Sequence, residues 1–403
     1  MIRRLVINNF YSLGEKQDIS FYVNGNAPST SDYVKTIFND RISKINFIFG
    51  PNASGKTNTL KILSFLNFFI PASSQMKPDS KIPFDSFVFS PKFVNKPTHI
   101  EVEFLDGTSI YYYSLIFTEE HVVAESLKEK NEGKYIKYIF RKKWNKNSNN
   151  YVINTKLFGK SESIVQALSR KNASVVSIGV TLNNPKCLSI AKYWDKSVTN
   201  VGMMGKTLNN RWEDIDEAVK YFYSHSEEKL LADRLISEFD LGLSEMKIEK
   251  RQRKDRSDKM IDDYFAFGIH EIGKNSRYPL TLYNESHGTQ NLYLLLRDVL
   301  PALKDGGVVV YDDIEEGLHP MMMPKIVELF ASPKWNPKNA QLIASTHNIQ
   351  MLDRLDMYQV FLTEKNQKGQ TNIWRLDDVD DIRSDSNYLK KYLAGIYGGR
   401  PNV

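Results

Sequence analysis

One octapeptide constrains the fold of this 403-residue chain more than any other feature of the sequence. Residues 50–57 read GPNASGKT and fit the pattern G-x-x-x-x-G-K-[ST] of a phosphate-binding P-loop. The apolar run at 45–49 predicts a strand before the loop, and the apolar spacing at 59–66 predicts a helix after it. In that context the glycines let backbone N–H groups converge on phosphate oxygens, and the helix adds its positive end. The sequence therefore predicts a site for a nucleoside triphosphate.

Two side chains of the loop have distinct predicted roles. Lys56 is expected to reach the β- and γ-phosphates, and Thr57 is expected to place its hydroxyl on Mg²⁺. The motif alone does not distinguish ATP from GTP. The residues of this region that are predicted to bind the nucleotide are Gly50, Asn52, Ser54, Gly55, Lys56, Thr57 and Asn58.

Two further apolar runs end in polar side chains suited to phosphate chemistry. Residues 308–313 read VVVYDD, which predicts a buried strand that delivers Asp312 to Mg²⁺ at its carboxyl end. Residues 340–347 read AQLIASTH, and His347 at their end could bind a γ-phosphate or the attacking water. Each run alone also fits an ordinary core strand. The P-loop in the same chain favours the catalytic interpretation of both.

A polar pentapeptide, SHGTQ at 286–290, precedes a helical pattern in the second half of the chain. Taken alone, such a peptide is typical of loops. Together with the P-loop, Asp312-Asp313, the GLHP sequence at 317–320 and the STH sequence at 345–347, it resembles the motif set of ABC-type ATPase heads.

Within that class the chain resembles the AAA15/AAA21 ATPases related to RecF and Rad50. These occur in bacterial anti-phage systems of the RloA, AbiL, PARIS and Septu types. The start at 7–12 (INNFYS) and the glycine-rich tail at 392–401 (YLAGIYGGRP) add to the resemblance. It covers residues 1–70 and 280–403 motif by motif, whereas the middle of the chain matches only in outline.

The resemblance implies an α/β fold, an ABC-type P-loop ATPase head with an antiparallel β-subdomain and a helical insertion. It favours ATP, with Ser286, Gly288 and Gln290 in a signature sequence that contacts ATP held by the P-loop of a second subunit. A homodimer or higher homo-oligomer around ATP and Mg²⁺ follows, with a D-loop at 317–319. The expected partner is a separately encoded effector, a nuclease, because the chain shows no second catalytic motif.

One position departs from the family pattern. Related ATPases carry Asp-Glu at the end of the Walker B strand, and the Glu polarises the attacking water, whereas this chain carries Asp312-Asp313. The Asp carboxylate is one methylene shorter, and a misplacement of about 1 Å can cost on the order of a hundredfold in rate. Slow hydrolysis is therefore predicted, with Asp313 as the foremost candidate base and Glu315 and Glu316 as alternatives.

The remaining sequence suggests three parts. Residues 1–155 are predicted to hold the P-loop core and an antiparallel β-subdomain, since 100–104 and 109–117 are typical of strands. Residues 156–245 carry apolar residues at helical spacing, which predicts a compact helical lobe too short for a long coiled coil. Residues 246–403 complete the head with the signature, the Walker B strand, the D-loop and the switch histidine.

The segment from Lys247 to Lys259 holds seven cations against three carboxylates, in a chain whose net charge is +6. A weak, salt-sensitive contact with nucleic acid is one interpretation of this segment. A solvated basic loop between strands is the other. The sequence RKK at 141–143 adds a second basic cluster.

Three functional hypotheses remain at this point. The resemblance favours a defence ATPase whose nucleotide state controls the effector, with a RecF-like DNA-repair ATPase as the alternative and the ATP-binding half of a transporter as a third. No signal peptide is visible, and the apolar stretch at 60–72 is shorter than the about 20 residues of a membrane span. A cytoplasmic protein without membrane contact is expected. The single cysteine, Cys187, is expected to be a small buried hydrophobe.

Overall fold

The computed structural model describes residues 1–23, 31–159, 161–207, 211–239, 242–254, 258–272, 276–380, 382 and 387–400. Strands and helices are numbered along the chain over these residues. Two large sheets, one mainly parallel and one antiparallel, pack with the helix that follows the P-loop.

The mainly parallel sheet carries the predicted site. Its strands, in spatial order, are β11 (Val198–Thr199), β17 (Val308–Tyr311), β18 (Gln341–Ser345), β5 (Ile45–Phe49), β19 (Val360–Lys365) and β20 (Thr371–Arg375). Neighbouring strands are parallel except for β19 and β20. Because β5, β17 and β18 run in the same direction, the residues that follow them meet at one edge of the sheet. The strands predicted at 45–49, 308–313 and 340–347 are confirmed, with their polar ends just beyond the regular ladder.

Side chains of this sheet alternate between two cores. Ile48, Val310 and Ile343 belong to the first core, whereas Phe47 and Val309 belong to the second. Both faces are therefore covered, as a parallel sheet of nearly continuous apolar strands requires. Helix α1 (Lys56–Ala72) lies in the first core and confirms the helix predicted after the P-loop.

The antiparallel sheet packs into the same core as α1. Its strands, in spatial order, are β10 (Asn150–Thr155), β9 (Lys137–Asn145), β8 (Val122–Asn131), β7 (Ser109–Phe117), β6 (Thr98–Asp106), β1 (Ile2–Asn8) and β2 (Gln17–Ser20). Strands β6 and β7 confirm the two strands predicted at 100–104 and 109–117. Apolar residues on one face of β6, such as Ile100 and Phe104, are fully buried, while Glu103 on the other face remains partly exposed.

The helices predicted between 156 and 245 do not form one compact lobe. They are α2 (Glu162–Leu168), α3 (Val175–Thr181), α4 (Pro185–Asp195), α5 (Arg211–Ser224) and α6 (Ser226–Glu238). Val176 and Trp194 lie in the core with α1, whereas Ile215 and Leu235 lie in the second core with α7 (His287–Asp305). The prediction of a single lobe is wrong because the two groups of helices bury their apolar faces in different cores. The boundaries at 155/156 and 245/246 stay predictions.

The basic segment from Lys247 to Lys259 is mainly a strand, so the prediction of a loop is wrong. Strand β14 (Leu243–Lys254) pairs with β15 (Met260–Ile272), which pairs with β16 (Ser276–Thr281). Carboxylates on the same hairpin reduce its free positive charge. The ion pairs are Lys247–Glu249, Lys250–Asp262, Arg251–Glu249, Arg253–Asp263 and Lys254–Asp258. Arg256 and Asp255 lie outside the described residues.

Smaller elements complete the described part of the chain. They are the hairpins β3 (Val34–Ile37) with β4 (Asp40–Ser43) and β12 (Val201–Gly202) with β13 (Gly205–Lys206), and helices α8 (Met323–Ala331) and α9 (Tyr388–Leu393). Cys187 is buried, as predicted. Lys142 is also buried, so the cluster at 141–143 is not a continuous basic surface. None of the helices described is long and apolar enough to cross a membrane.

Candidate nucleotide site

The P-loop joins β5 to α1 in a curl that two glycines make possible. Gly50 and Gly55 have positive φ angles of 155° and 109°. A Cβ atom on Gly55 would lie 2.0 Å from Oγ1 of Thr371, and one on Gly50 would lie 2.4 Å from Oγ1 of Thr363. Glycine is thus required at both positions by backbone conformation and by close approach. Asn52 lies exposed at the tip of the curl.

A chain of hydroxyl groups supports the loop from beneath. Oγ of Ser54 is 2.7 Å from Oγ1 of Thr363, and Oγ1 of Thr371 donates to the Ser54 carbonyl at 2.8 Å. Oγ of Ser12 is 2.8 Å from Oγ1 of Thr371 and accepts from Nδ2 of Asn58 at 2.8 Å. Sequence reasoning missed Ser12, Thr363 and Thr371, which are far from the loop in sequence. The Asn58 amide belongs to this support, and its contact with nucleotide stays a prediction.

Lys56 folds back over its own loop. Its Nζ donates to the carbonyl oxygens of Gly50 at 3.0 Å and Pro51 at 3.2 Å. Burial lowers the pKa of Lys56, and the charges of Asp313 and Asp312 oppose that shift. A phosphate oxygen is a stronger, charged acceptor for an ammonium group than a carbonyl. A triphosphate can therefore replace these two contacts.

Thr57 and Asp312 meet where the metal is predicted. Oγ1 of Thr57 donates to Oδ2 of Asp312 at 2.7 Å, and Oγ of Ser345 donates to the other carboxylate oxygen. Asn200, which sequence reasoning missed, accepts from the Asp312 N–H at 2.7 Å and donates to its carbonyl at 3.0 Å. Hydroxyl and carboxylate oxygens are ligands that Mg²⁺ prefers, and phosphates and water usually fill its other positions. The residues present fit a Mg²⁺ ion.

Three more carboxylates follow Asp312 and differ in how they are held. Asp313 has a positive φ of 49°, and its Oδ1 is 3.6 Å from Nε2 of His347. Glu315 accepts the backbone N–H of His347 with Oε1, whereas its Oε2 is buried without a partner among the described residues. Glu316 is exposed and forms an ion pair with Lys206. Asp313 and Glu315 therefore both remain beside the histidine as candidate bases.

The signature residues pack against their own D-loop. Ser286 caps the amino end of α7, where its Oγ accepts the N–H of Thr289 at 3.2 Å. A Cβ on Gly288 would lie 2.9 Å from the Gly317 carbonyl, and Asn291 donates to the carbonyl of Glu316, just before the D-loop, at 2.7 Å. No hydrogen bond found between described residues joins 286–291 to the P-loop of the same chain.

Gln290 lies inside the chain rather than at the surface of the signature. It is 2% exposed, and its Nε2 donates to three backbone carbonyls, the nearest being that of Leu282 at 2.9 Å. Its Oε1 accepts Nε of Arg211 at 2.7 Å. This geometry gives Gln290 a structural role, and its predicted contact with nucleotide has no support in it.

A protein-family model matches residues 45–353, a span that contains the P-loop, the signature, the Walker B strand and His347. The family is AAA_21, described as "AAA domain, putative AbiEii toxin, Type IV TA system". The chain belongs to the AAA_21 family. This AAA_21 protein is accordingly an ATP-binding ATPase of the P-loop ABC type, as the motifs of the sequence predict.

Solved structures similar to this AAA_21 protein include an Smc head bound to the C-winged-helix domain of ScpA, with 13% identity, TM-score 0.43, and coverage of 93% of this chain and 97% of that one. An Smc head with an extended coiled coil, bound to the C-terminal domain of ScpA from Pyrococcus furiosus, has 12% identity, TM-score 0.38 and coverage of 98% of both chains. RecF with ATP has 12% identity, TM-score 0.30, and coverage of 85% and 91%. No curated protein matches the sequence.

Proposed function

We propose that this ATPase binds ATP with Mg²⁺ between two copies of the chain, hydrolyses it slowly, and thereby controls a separate effector, a nuclease, in anti-phage defence. The observation that carries the two-copy site is that no hydrogen bond between described residues joins the signature to the P-loop of its own chain, whereas effector control and defence rest on the family resemblance. Ser286 and Gly288 pack against their own D-loop, while Thr57, Asp312 and His347 gather at the P-loop. A second copy would bring its signature to the nucleotide and complete the site.

The residues of one chain divide the work at the phosphates. The backbone of the P-loop holds them, Lys56 exchanges its carbonyl acceptors for phosphate oxygens, and Thr57 and Asp312 hold Mg²⁺. Held by the Thr57 hydroxyl and the Asp312 carboxylate, Mg²⁺ would supply positive charge that offsets the charge of the phosphates. Ser345 holds the carboxylate of Asp312 in place, and Asn200 holds its backbone.

Hydrolysis requires that water attack the γ-phosphorus while the bond to ADP breaks and a proton passes to a base. Asp313 is the proposed base and His347 its neighbour at the γ-phosphate. The short Asp side chain supports a slow step, and slow turnover suits a switch that holds a nucleotide state. Glu315 is the alternative base because one of its oxygens is desolvated and has no partner in the described chain.

Dimerisation is tested by measuring molar mass with light scattering after gel filtration, with and without ATPγS and Mg²⁺. The wild type is expected to change from monomer to dimer with ATPγS. Ser286→Arg and Lys56→Ala are expected to stay monomeric, because the first blocks the signature and the second loses the phosphates. Ser163→Arg, on the exposed face of α2, is the matched control and should dimerise. A Ser286→Arg dimer as stable as the wild type would contradict the composite site.

The defence role is tested by phage plating on cells that carry the gene with its natural neighbours. Wild type and Lys56→Ala are compared across a broad phage panel, with the protein level of each confirmed by blotting. Protection that the Lys56→Ala variant loses supports a nucleotide-dependent defence ATPase. Absence of protection against every phage would contradict the role.

A RecF-like repair ATPase makes the opposite prediction for nucleic acid. It should bind DNA and hydrolyse ATP faster with DNA present. The ion pairs along β14 and β15 favour weak binding instead, because Lys250 and Arg253 each face a carboxylate of β15. ATP turnover measured with and without single-stranded and gapped DNA separates the two functions, and a large stimulation would support repair.

A further inference from the structure

A cavity of about 590 Å³ opens beside the first turn of the P-loop. Gly50, Pro51 and Asn52 form one wall, and His347 stands on another. The third wall is the chain near its carboxyl end, where Arg400 lines the cavity. No carboxylate is among the residues that line it, so the cavity presents an arginine, a histidine and P-loop backbone to whatever enters. This combination favours an anion.

The glycine-rich tail is built to hold this position. The hydroxyl of Tyr392 donates to the Gly399 carbonyl at 2.6 Å, and the Gly399 N–H donates to Oε2 of Glu364 at 3.0 Å. Gly398 has a φ of 71°, and a Cβ on it would lie 3.1 Å from the ring of Trp374. The tail therefore folds tightly onto β19 and β20, the two strands that also supply the threonines beneath the P-loop.

Arg400 is anchored by one N–H and keeps the rest of its guanidinium available. Nη1 donates to the Leu393 carbonyl at 2.9 Å. No carboxylate in the part of the chain that the structure describes forms an ion pair with it. An arginine has five N–H donors in a planar fork that matches phosphate oxygens. The anchor fixes the direction of the side chain without consuming its charge.

We propose that Arg400 contacts the γ-phosphate of the nucleotide held by the P-loop of its own chain, and so distinguishes a triphosphate from a diphosphate. The inference rests on the proposed function, since it requires a nucleotide in the P-loop with its γ-phosphate toward His347. It gives the tail a part in the site that neither the P-loop nor the Walker B motif supplies.

The test compares the affinities of the full chain for ATPγS and ADP, each with Mg²⁺, by isothermal titration calorimetry at fixed salt. Arg400→Gln keeps a donor for the Leu393 carbonyl but loses the charge. It is expected to weaken ATPγS binding about tenfold and to leave ADP binding nearly unchanged, since charge-assisted hydrogen bonds differ from neutral ones by that order. Arg400→Lys should restore part of the loss. Lys390→Ala removes an exposed charge from α9 at a position that does not line the cavity, and this variant should bind both nucleotides like the wild type.

The outcomes separate this inference from the proposed function. If the wild type prefers ATPγS, Lys56→Ala abolishes binding and Arg400→Gln retains the full preference, only the role of Arg400 is overturned. Equal weakening of ATPγS and ADP by Arg400→Gln also overturns it, because contact with the γ-phosphate cannot affect ADP. If neither nucleotide binds the wild type, the proposed function fails and the role of Arg400 fails with it.

Discussion

Two polar clusters of this protein differ in how completely their groups are satisfied. In the first, Glu125 is fully buried and accepts hydrogen bonds from the hydroxyls of Tyr113 at 3.0 Å and Ser174 at 2.6 Å and from the N–H of Val175 at 3.0 Å. Lys142 beside it donates to two backbone carbonyls at 2.7 and 3.1 Å. Burial raises the pKa of Glu125 and lowers the pKa of Lys142 to about 8.

The second cluster, at the edge of the parallel sheet, is incomplete. Lys56 rests on two carbonyls that a phosphate can replace, Oε2 of Glu315 has no partner among the described residues, and Asp313 is 3.6 Å from the histidine. A closed cluster stabilises the fold, whereas an open one has unused donors and acceptors for a ligand. Burial of charge alone therefore does not identify a functional site. The cluster at the sheet edge is distinguished by its motif residues together with a buried carboxylate oxygen that has no partner among the described residues.

The largest expected effect is on ATP hydrolysis, which should depend on Lys56 and not on Lys142. Lys56→Met should lower kcat for ATP about a thousandfold, because one preorganised charge at the phosphates is lost. Its free energy of unfolding should change by less than about 1 kcal/mol, since no fully buried carboxylate loses a neighbouring charge and one of the released carbonyls belongs to the partly exposed Pro51. Steady-state phosphate release and urea unfolding measure the two quantities. Near-wild-type ATP turnover in Lys56→Met would show that the cluster at the P-loop is not the catalytic one.

Lys142→Met should give the reverse pattern. Removing one member of a closed, buried cluster leaves Glu125 and two carbonyls uncompensated, which costs about 3 kcal/mol of folding stability. ATP turnover of the folded variant should stay within about twofold of the wild type, because no nucleotide-site residue bonds to Lys142. The same unfolding and phosphate-release assays apply, and a loss of activity without loss of stability would contradict the structural role.

Stability should also depend on pH through Lys142. Its pKa is lowered from 10.5 to about 8 in the fold, so the unfolded chain binds more protons between these values. The stability that the neutral amine contributes is present above the unfolded pKa and is lost as pH falls toward 8. Urea unfolding at pH 8 and pH 10 should show the stability of the wild type relative to Lys142→Met rising by on the order of 2 kcal/mol. If the difference in unfolding free energy between the wild type and Lys142→Met falls as pH rises, the predicted pH dependence is wrong.

The smallest expected effect concerns the base. Asp313→Glu extends the carboxylate by one methylene and should raise kcat about tenfold if reach limits the rate. The same substitution should lower the folding stability slightly, because φ is 49° at this position and Asp tolerates the left-handed region better than Glu. Single-turnover ATP hydrolysis measures the change. If Glu315→Gln lowers the rate and Asp313→Asn does not, Glu315 is the base.

Local sequence patterns predicted many elements of the fold. The P-loop strand and helix, and strands β6 and β7, were predictable because apolar periodicity and turn signals act within a few residues. The loop at 247–259 was predicted wrongly because high charge was taken to indicate a solvated loop, whereas the segment pairs with β15, where Asp262 and Asp263 face Lys250 and Arg253. The prediction of a single helical lobe was wrong because the spacing of apolar residues shows that a helix has an apolar face but not the core against which that face packs.

The residues of the nucleotide site were predictable only where they belong to a known sequence motif. Lys56, Thr57 and Asp312 come from such motifs, and the structure brings them together. Asn200 and Thr371 belong to no motif, and their contacts with the site span 112 and 317 positions of sequence. Gln290 occupies a position of the signature motif, but its side chain points into the protein, where it donates to three backbone carbonyls that precede α7.

The dependence of the P-loop on β19 and β20 sets an order of events during synthesis. The loop leaves the ribosome more than three hundred residues before Thr363 and Thr371, the side chains that press against its two glycines. The central strand β5 likewise waits for both of its neighbours, β18 and β19. The native support of the phosphate cradle is therefore complete only after β19 and β20 have been made, because these contacts join distant parts of the sequence. We expect the loop to reach its nucleotide-binding shape late in synthesis.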